Sequence, residues 1–405
     1  MTAPESVRKD LERYISFGIK ASGSTGDNAC GAWLQAELQC QGFEIRQQSF
    51  SVPYFNARRS ELAIDGYTAC VIPHGIVVQS SQQGVTGRLV RIDPSIAIVA
   101  PLSDAIALID LPHSRWVSAL QKPIRDGVSA AITHGARAVA IITNGPTQKA
   151  VALNTDGTKP MFNVPVAILA PDQAFPFLFA AMHGGRASLL LTGEGGQRDA
   201  FNFCGSLDRG KGKWIVVSTP RSGWFTCAGE RGPGVAIWLA LARWAPIAFP
   251  NHNLAFICNS AHEYEYLGAD QAIHDMAQSP DVTTMWLTLG ASIAARDWQS
   301  LLPPLLPLPS ADPQRYLVVS PDILDKAKRA FSGQSGIESP YTTDRFTAGE
   351  LTPIHNAGYR PVAGFFGAHR FLHTQDDDER CIVAEPTWQA IIGCQNFLQS
   401  IIGRA

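Results

Sequence analysis

A mostly parallel α/β sheet with helices on both faces, plus a small inserted β-rich α/β domain, is the fold class this sequence predicts. Three observations predict it. From Lys213 to the C-terminus, apolar strand-like runs alternate with helical stretches. Residues 61–195 have a different texture, with short β-rich runs, few charges and many turns. The length of 405 residues also exceeds what one hydrophobic core usually serves.

Taken in order, the first 60 residues read as helix, loop, helix, strand. Asp27 and Asn28 are placed to cap a helix over 29–41, with Trp33, Leu34 and Leu38 on one face. Gly42 stops it, and 43–46 alternate as a strand. In the insert, strands are expected at 87–92, 105–109, 138–143 and 164–169, with a helix over 126–134. From there the expected order is strand 214–218, helix 233–244 with Pro233 near its start, strand 254–258 and helix 264–276. Strand 316–320, helix 323–331, strand 361–366 and an amphipathic helix 385–402 complete the chain. The proline-rich run 301–309 is expected to be a stiff extended loop, since proline sustains neither a helix nor an inner strand. The domain division this implies is 1–60 with 196–405, and 61–195.

Composition narrows the partners. With 45% hydrophobic and 17% charged residues and a net charge of -2, the chain offers no basic surface for nucleic acid or anionic lipid. The N-terminal twenty residues are charged and amphipathic with no apolar core, so no secretory signal is expected. The longest apolar runs are too short to cross a bilayer. Eight cysteines lie scattered without close pairs, which favours reduced thiols and a cytoplasmic location.

In order and spacing, these segments resemble the zinc-dependent aminopeptidase family, which includes glutaminyl cyclases and transferrin-receptor-like proteins. The opening Gly23-Ser24-Thr25-Gly26-Asp27-Asn28, then a helix and Gly42-Phe43-Glu44, carries the likeness at the N-terminus. The runs Gly87-Arg88-Leu89-Val90, His134-Gly135-Ala136-Arg137-Ala138-Val139 and Val164-Pro165-Val166-Ala167-Ile168 resemble the family's protease-associated domain. The resemblance covers nearly the whole chain and implies a zinc-exopeptidase-like fold with its site at strand ends.

Two neighbouring zinc ions need nitrogen and oxygen ligands, a bridging carboxylate and a Glu to move the proton. Set against the family pattern, Pro220 and Ser222 stand at the His and Asp of the first His-x-Asp segment, and a proline binds no metal. Glu230 stands at the bridging carboxylate, one methylene longer. His262 replaces the catalytic Glu, Glu263 matches the ligating one, and Glu265 stands at a usual Gly. Thr288 or Leu289 falls at the fourth ligand, which leaves no carboxylate there. His373, followed by Thr374 and with Asp377 four residues on, matches the last ligand. The usual two-zinc site is therefore lost. Glu230, Glu263 and His373 leave a ligand set for one zinc ion or none.

His262 is the expected base, because an imidazole titrates near neutrality. Arg221, Ser222, Trp224, Cys227 and Tyr264 fall beside the expected pocket as substrate-binding candidates. Ser222 or Cys227 as a covalent nucleophile is the less favoured role, and both read more simply as a loop hydroxyl and a small buried residue. Arg221, Arg231 and Arg345 are expected as surface charges ahead of anion clamps, and 376–379 as a solvated, helix-capping acidic run. The function expected is hydrolysis of a C–N, amide-type bond in a small, aromatic or apolar substrate. The alternatives are a catalytically inactive pseudo-peptidase that binds or scaffolds, and a glutaminyl-cyclase-like acyl transferase. No nucleic acid or membrane partner is expected; a homodimer is what the resemblance implies.

Overall fold

The structure, a computed structural model, describes residues 4–299, 301 and 304–403. Its chain divides into two compact units: one runs up to Ser51 and resumes at Asp199, and the other is Val52–Arg198.

In the first unit the strands lie in the order Tyr341–Thr342, Arg315–Val319, Val362–Gly367, Thr283–Leu289, Trp214–Pro220, Asn253–Asn259, followed by residues 203–207. The four strands from Val362–Gly367 to Asn253–Asn259 are mutually parallel, with antiparallel neighbours on either side. Both faces are buried, which is why these strands read as continuous apolar runs. Ile215, Val217, Leu254, Phe256 and Cys258 pack with residues of the helices Pro4–Ser16, Thr25–Cys40, Ala228–Ala248 and Ala384–Ile402. Trp214, Val216, Ala255 and Ile257 pack with those of Leu267–Asp275 and Leu351–Asn356 on the other face. Every residue from Ala228 to Ala242 is buried, so this helix lies inside the core rather than on it.

Several boundaries move for identifiable reasons. The helix expected from 29 begins at Thr25, because the Ser24 side chain caps it by accepting from Asp27 N at 3.2 Å. Asp27 is thus inside the first turn rather than the cap. The helix expected from Pro233 begins at Ala228. The one expected from Tyr264 begins at Leu267, because Glu265 and Tyr266 have left-handed backbones. The run expected as a loop contains a strand, Leu306–Ala311, paired antiparallel with Arg296–Gln299. A two-stranded hairpin has only edges, where proline is tolerated. Residues 302 and 303 of that run lie outside the described residues.

In the second unit, residues 186–189, then Val85–Ile92, Ala105–Asp110, Ala138–Ile142, Val166–Leu169 and Ile72–Pro73 form the sheet in that order. Its four central strands are parallel. Lys122–Thr133 closes one face through Ile124 and Val128, and Phe175–Met182 the other through Phe177. Among the described residues, no helix is long and apolar enough to cross a membrane.

Candidate functional site

The parallel strands Asn253–Asn259, Trp214–Pro220, Thr283–Leu289 and Val362–Gly367 end on one edge of the sheet, the edge where open α/β sheets place their sites. The loops leaving it carry Ser260–Glu263, Arg221 and Ser222, Ser292, and His369 with His373. Seven of the ten described non-glycine residues with positive φ lie in these loops: Phe225, Cys227, Ala261, Glu265, Tyr266, Ser292 and His373. Backbone strain of this kind persists where the surroundings over-determine it, and it concentrates at functional sites.

Glu230, Arg231 and His373 form the centre. Glu230 Oε1 lies 2.7 Å from Arg231 Nη2 and 3.2 Å from His373 Nε2. Arg231 is fully buried and donates through Nε to the Ser222 carbonyl at 3.0 Å. Burial alone raises the Glu230 carboxyl, but the Arg231 guanidinium and then His373 outweigh it and hold the group at about 2. Burial likewise opposes the charge on Arg231, while Glu230 and then Glu350 more than offset it and raise its pKa. The expectation that Arg221 and Arg231 are surface charges is thus corrected, as both are fully buried and ion-paired.

This pair has a pH signature. A carboxyl held below its unfolded value of 4.5 contributes stability that is fully present above that value. The contribution disappears as pH falls through about 2, and the shift is worth roughly 3 kcal/mol. Denaturant titrations between pH 5 and 2 should therefore fall less steeply for Glu230→Gln than for wild type.

Glu263 lies apart from this centre. Its Oε1 accepts from Ser22 N at 3.0 Å, and its Oε2 from Ser22 Oγ at 2.6 Å and Ser222 Oγ at 2.7 Å. His262 projects from the same loop with Nδ1 3.3 Å from Glu350 Oε1, and its ring lies 5.0 Å from that of Tyr266. Asn259 Nδ2 holds the other Glu350 oxygen at 3.3 Å. At 8% exposure His262 is the most open group of the cluster, compared with 3% for Glu263 and His373 and 1% for Glu230.

Two substrate-binding candidates are committed elsewhere. Arg221 pairs with Asp27 at 2.9 Å, donates to the Phe201 carbonyl at 2.8 Å and stacks over the Phe201 ring. Cys227 is fully buried 3.1 Å from the Tyr14 hydroxyl, and burial pushes its thiol up to about 12. A thiol held protonated is a poor nucleophile. Trp224 and Tyr264 are half-buried. The acidic run 376–379 does cap a helix, but Asp377 is fully buried rather than solvated, accepting from Gly229 N at 2.6 Å and Glu230 N at 3.1 Å. This cap, reaching from 147 residues away, starts the helix at Ala228 and fixes Glu230.

The expected single-zinc set does not fit a metal as arranged. Glu230, Glu263 and His373 do not bring ligand atoms within 4.8 Å of one another. The positive partner of Glu230 is a guanidinium 2.7 Å away. A dication beside that guanidinium would meet like-charge repulsion in a buried setting. Sequence reasoning missed Glu350, Ser22 and Ser292, which belong to no motif and reach the site only through the fold.

No family model matches the chain, and a search of curated proteins finds no match. Solved structures do match. BSAP, a zinc aminopeptidase from Bacillus subtilis, aligns over 99% of this chain and 95% of its own at 16% identity, with a TM-score of 0.76. A peptidase M28 precursor from Shewanella amazonensis SB2B aligns over 98% and 92% at 18% identity, with a TM-score of 0.74. An aminopeptidase from Aneurinibacillus sp. strain AM-1 aligns over 99% and 94% at 18% identity, with a TM-score of 0.70. The chain therefore has the zinc-aminopeptidase fold.

Proposed function

We propose that this protein is a hydrolase of a C–N, amide-type bond in a small substrate, with His262 as the general base and no zinc held by Glu230, Glu263 and His373. The observation that carries the proposal is the His262–Glu350 contact at 3.3 Å, on the residue that the sequence pattern sets at the family's proton-transferring Glu. A carboxylate on Nδ1 fixes the imidazole tautomer and leaves Nε2 to take a proton. In the reaction, water gives a proton to Nε2 as its oxygen bonds to the amide carbon. The C–N bond then breaks, and the proton passes to the departing nitrogen. Arg231 contributes positive potential where negative charge develops on the carbonyl oxygen, and burial strengthens that field. Trp224 and Tyr264 are the proposed substrate contacts, a half-buried aromatic pair that suits an apolar or aromatic group, while the buried Ser222 hydroxyl positions Glu263. The insert Val52–Arg198 is proposed as a protease-associated-like domain.

A panel of small aromatic and aliphatic amides, assayed with wild type and His262→Ala at equal zinc content, tests this. Turnover by wild type that is lost in His262→Ala protein of unchanged circular dichroism is the expected result. A second reading, an inactive binding protein, is favoured by the internal commitment of Glu263 and Arg221. It predicts substrate-like molecules that raise the Tm with no turnover of any amide.

A further inference from the structure

We propose a zinc site outside the pocket described above, formed by His369, Asp377 and Cys381. Their ligand atoms all lie within 4.8 Å of one another, and all three residues are buried. His369 Nε2 sits 3.3 Å from Asp377 Oδ1 but is not aligned to hydrogen-bond it, so this buried nitrogen has no hydrogen-bond partner. A buried ring nitrogen left this way is costly, and a bound ion removes the cost. The spacing fits the ion: with bonds of about 2.0–2.3 Å, the ligands of a tetrahedral zinc stand about 3.3–3.7 Å apart.

The backbone opposite is shaped for the same cluster. A Cβ on Gly229 would meet Cys381 Cβ at 2.9 Å, and Asp377 Oδ1 and His369 Nε2 each at 3.0 Å. Only glycine leaves the three groups room to converge there. His369 Nδ1 is held by Ser292 Oγ at 2.9 Å, the outer contact that fixes a metal-binding imidazole with Nε2 toward the ion. Asp377 Oδ1 keeps a lone pair beyond the one used by Gly229 N.

The donor set of one thiolate, one imidazole and one carboxylate selects zinc among common divalent ions. Its two positive charges are matched by the carboxylate and by the thiolate formed when the Cys381 proton, now directed to the Asp376 carbonyl at 3.4 Å, is displaced. The N-terminal end of Ala228–Ala248 opposes the ion with only about half a charge, and Asp377 already caps that end. Three protein ligands leave the fourth position of a tetrahedral ion to a water, and all three lie within 369–381, so the ion pins the turn carrying His373 and, through Asp377, the cap of the helix carrying Glu230.

The test uses the intact chain. Zinc-edge X-ray absorption on the purified protein should show about one ion per chain, with one sulfur near about 2.3 Å and nitrogen and oxygen near about 2.0 Å. Cobalt-exchanged protein should show thiolate-to-cobalt absorption in the near ultraviolet that disappears in Cys381→Ser. Zinc with only nitrogen and oxygen neighbours, substoichiometric zinc, or cobalt–thiolate absorption that persists in Cys381→Ser would overturn the proposal. The sulfur neighbour separates this site from Glu230, Glu263 and His373, which include no thiol. The absorption measurement needs no variant, so it stands even if Cys381→Ser does not fold, and it is independent of any amide turnover.

Discussion

Replacing Arg231 with methionine should destabilise the protein by about 3–5 kcal/mol, the cost typical of removing one partner from a buried ion pair. Glu230 would lose its 2.7 Å partner and the Ser222 carbonyl its 3.0 Å donor, both in fully buried positions. Arg231→Lys keeps the charge but not the planar fork that spans both acceptors, so most of the loss should remain. Pairing Arg231→Met with Glu230→Gln should recover a large part of it, because the uncompensated charge is then gone. Urea unfolding with an unchanged slope is the measurement, and a single-variant loss under about 1 kcal/mol would show that the pair is not the structural centre described here.

His262→Ala should lower turnover of any amide found to be a substrate by about 10²–10⁴-fold, the usual contribution of a positioned base. Stability should also fall, because His262 is buried and its loss leaves buried Glu350 without its imidazole, so turnover is compared in protein that circular dichroism shows to be folded. Glu350→Gln should lower kcat by less, since it leaves the imidazole in place but no longer selects the tautomer. Equal turnover in wild type and His262→Ala would remove His262 from the mechanism.

Much of the fold was legible because buried parallel strands impose apolar runs that local pattern reveals. The 214–218 and 254–258 runs mark strands that extend only to Pro220 and Asn259. Helix starts were less legible where the cap comes from afar. Pro233 marked a start five residues late, because Asp377, distant in sequence, caps the true one. The Ser24 cap, by contrast, is local, and Asp27 and Asn28 offered the same capping chemistry three and four residues later. At the site, motif position located Glu230, His262, Glu263 and His373 on one sheet edge but not their pairing. Arg231 was misread because arginines are rarely buried, and only the fold reveals that its charge is compensated by Glu230. Glu350, 88 residues from His262, has no sequence pattern that announces it. Ser22 and Ser222 hold both Glu263 oxygens by hydrogen bonds, and Ser222 stands where the family pattern has the Asp of its first ligand segment.

The central claim is that a guanidinium, not a metal, is the positive partner of Glu230. Anomalous X-ray diffraction at the zinc edge, on crystals of the zinc-equilibrated protein, tests it most directly. No anomalous peak is expected between Glu230, Glu263 and His373, with Arg231 in density against Glu230. A peak there, with Arg231 displaced and Glu263 turned from Ser22 and Ser222 to face the ion, would contradict it.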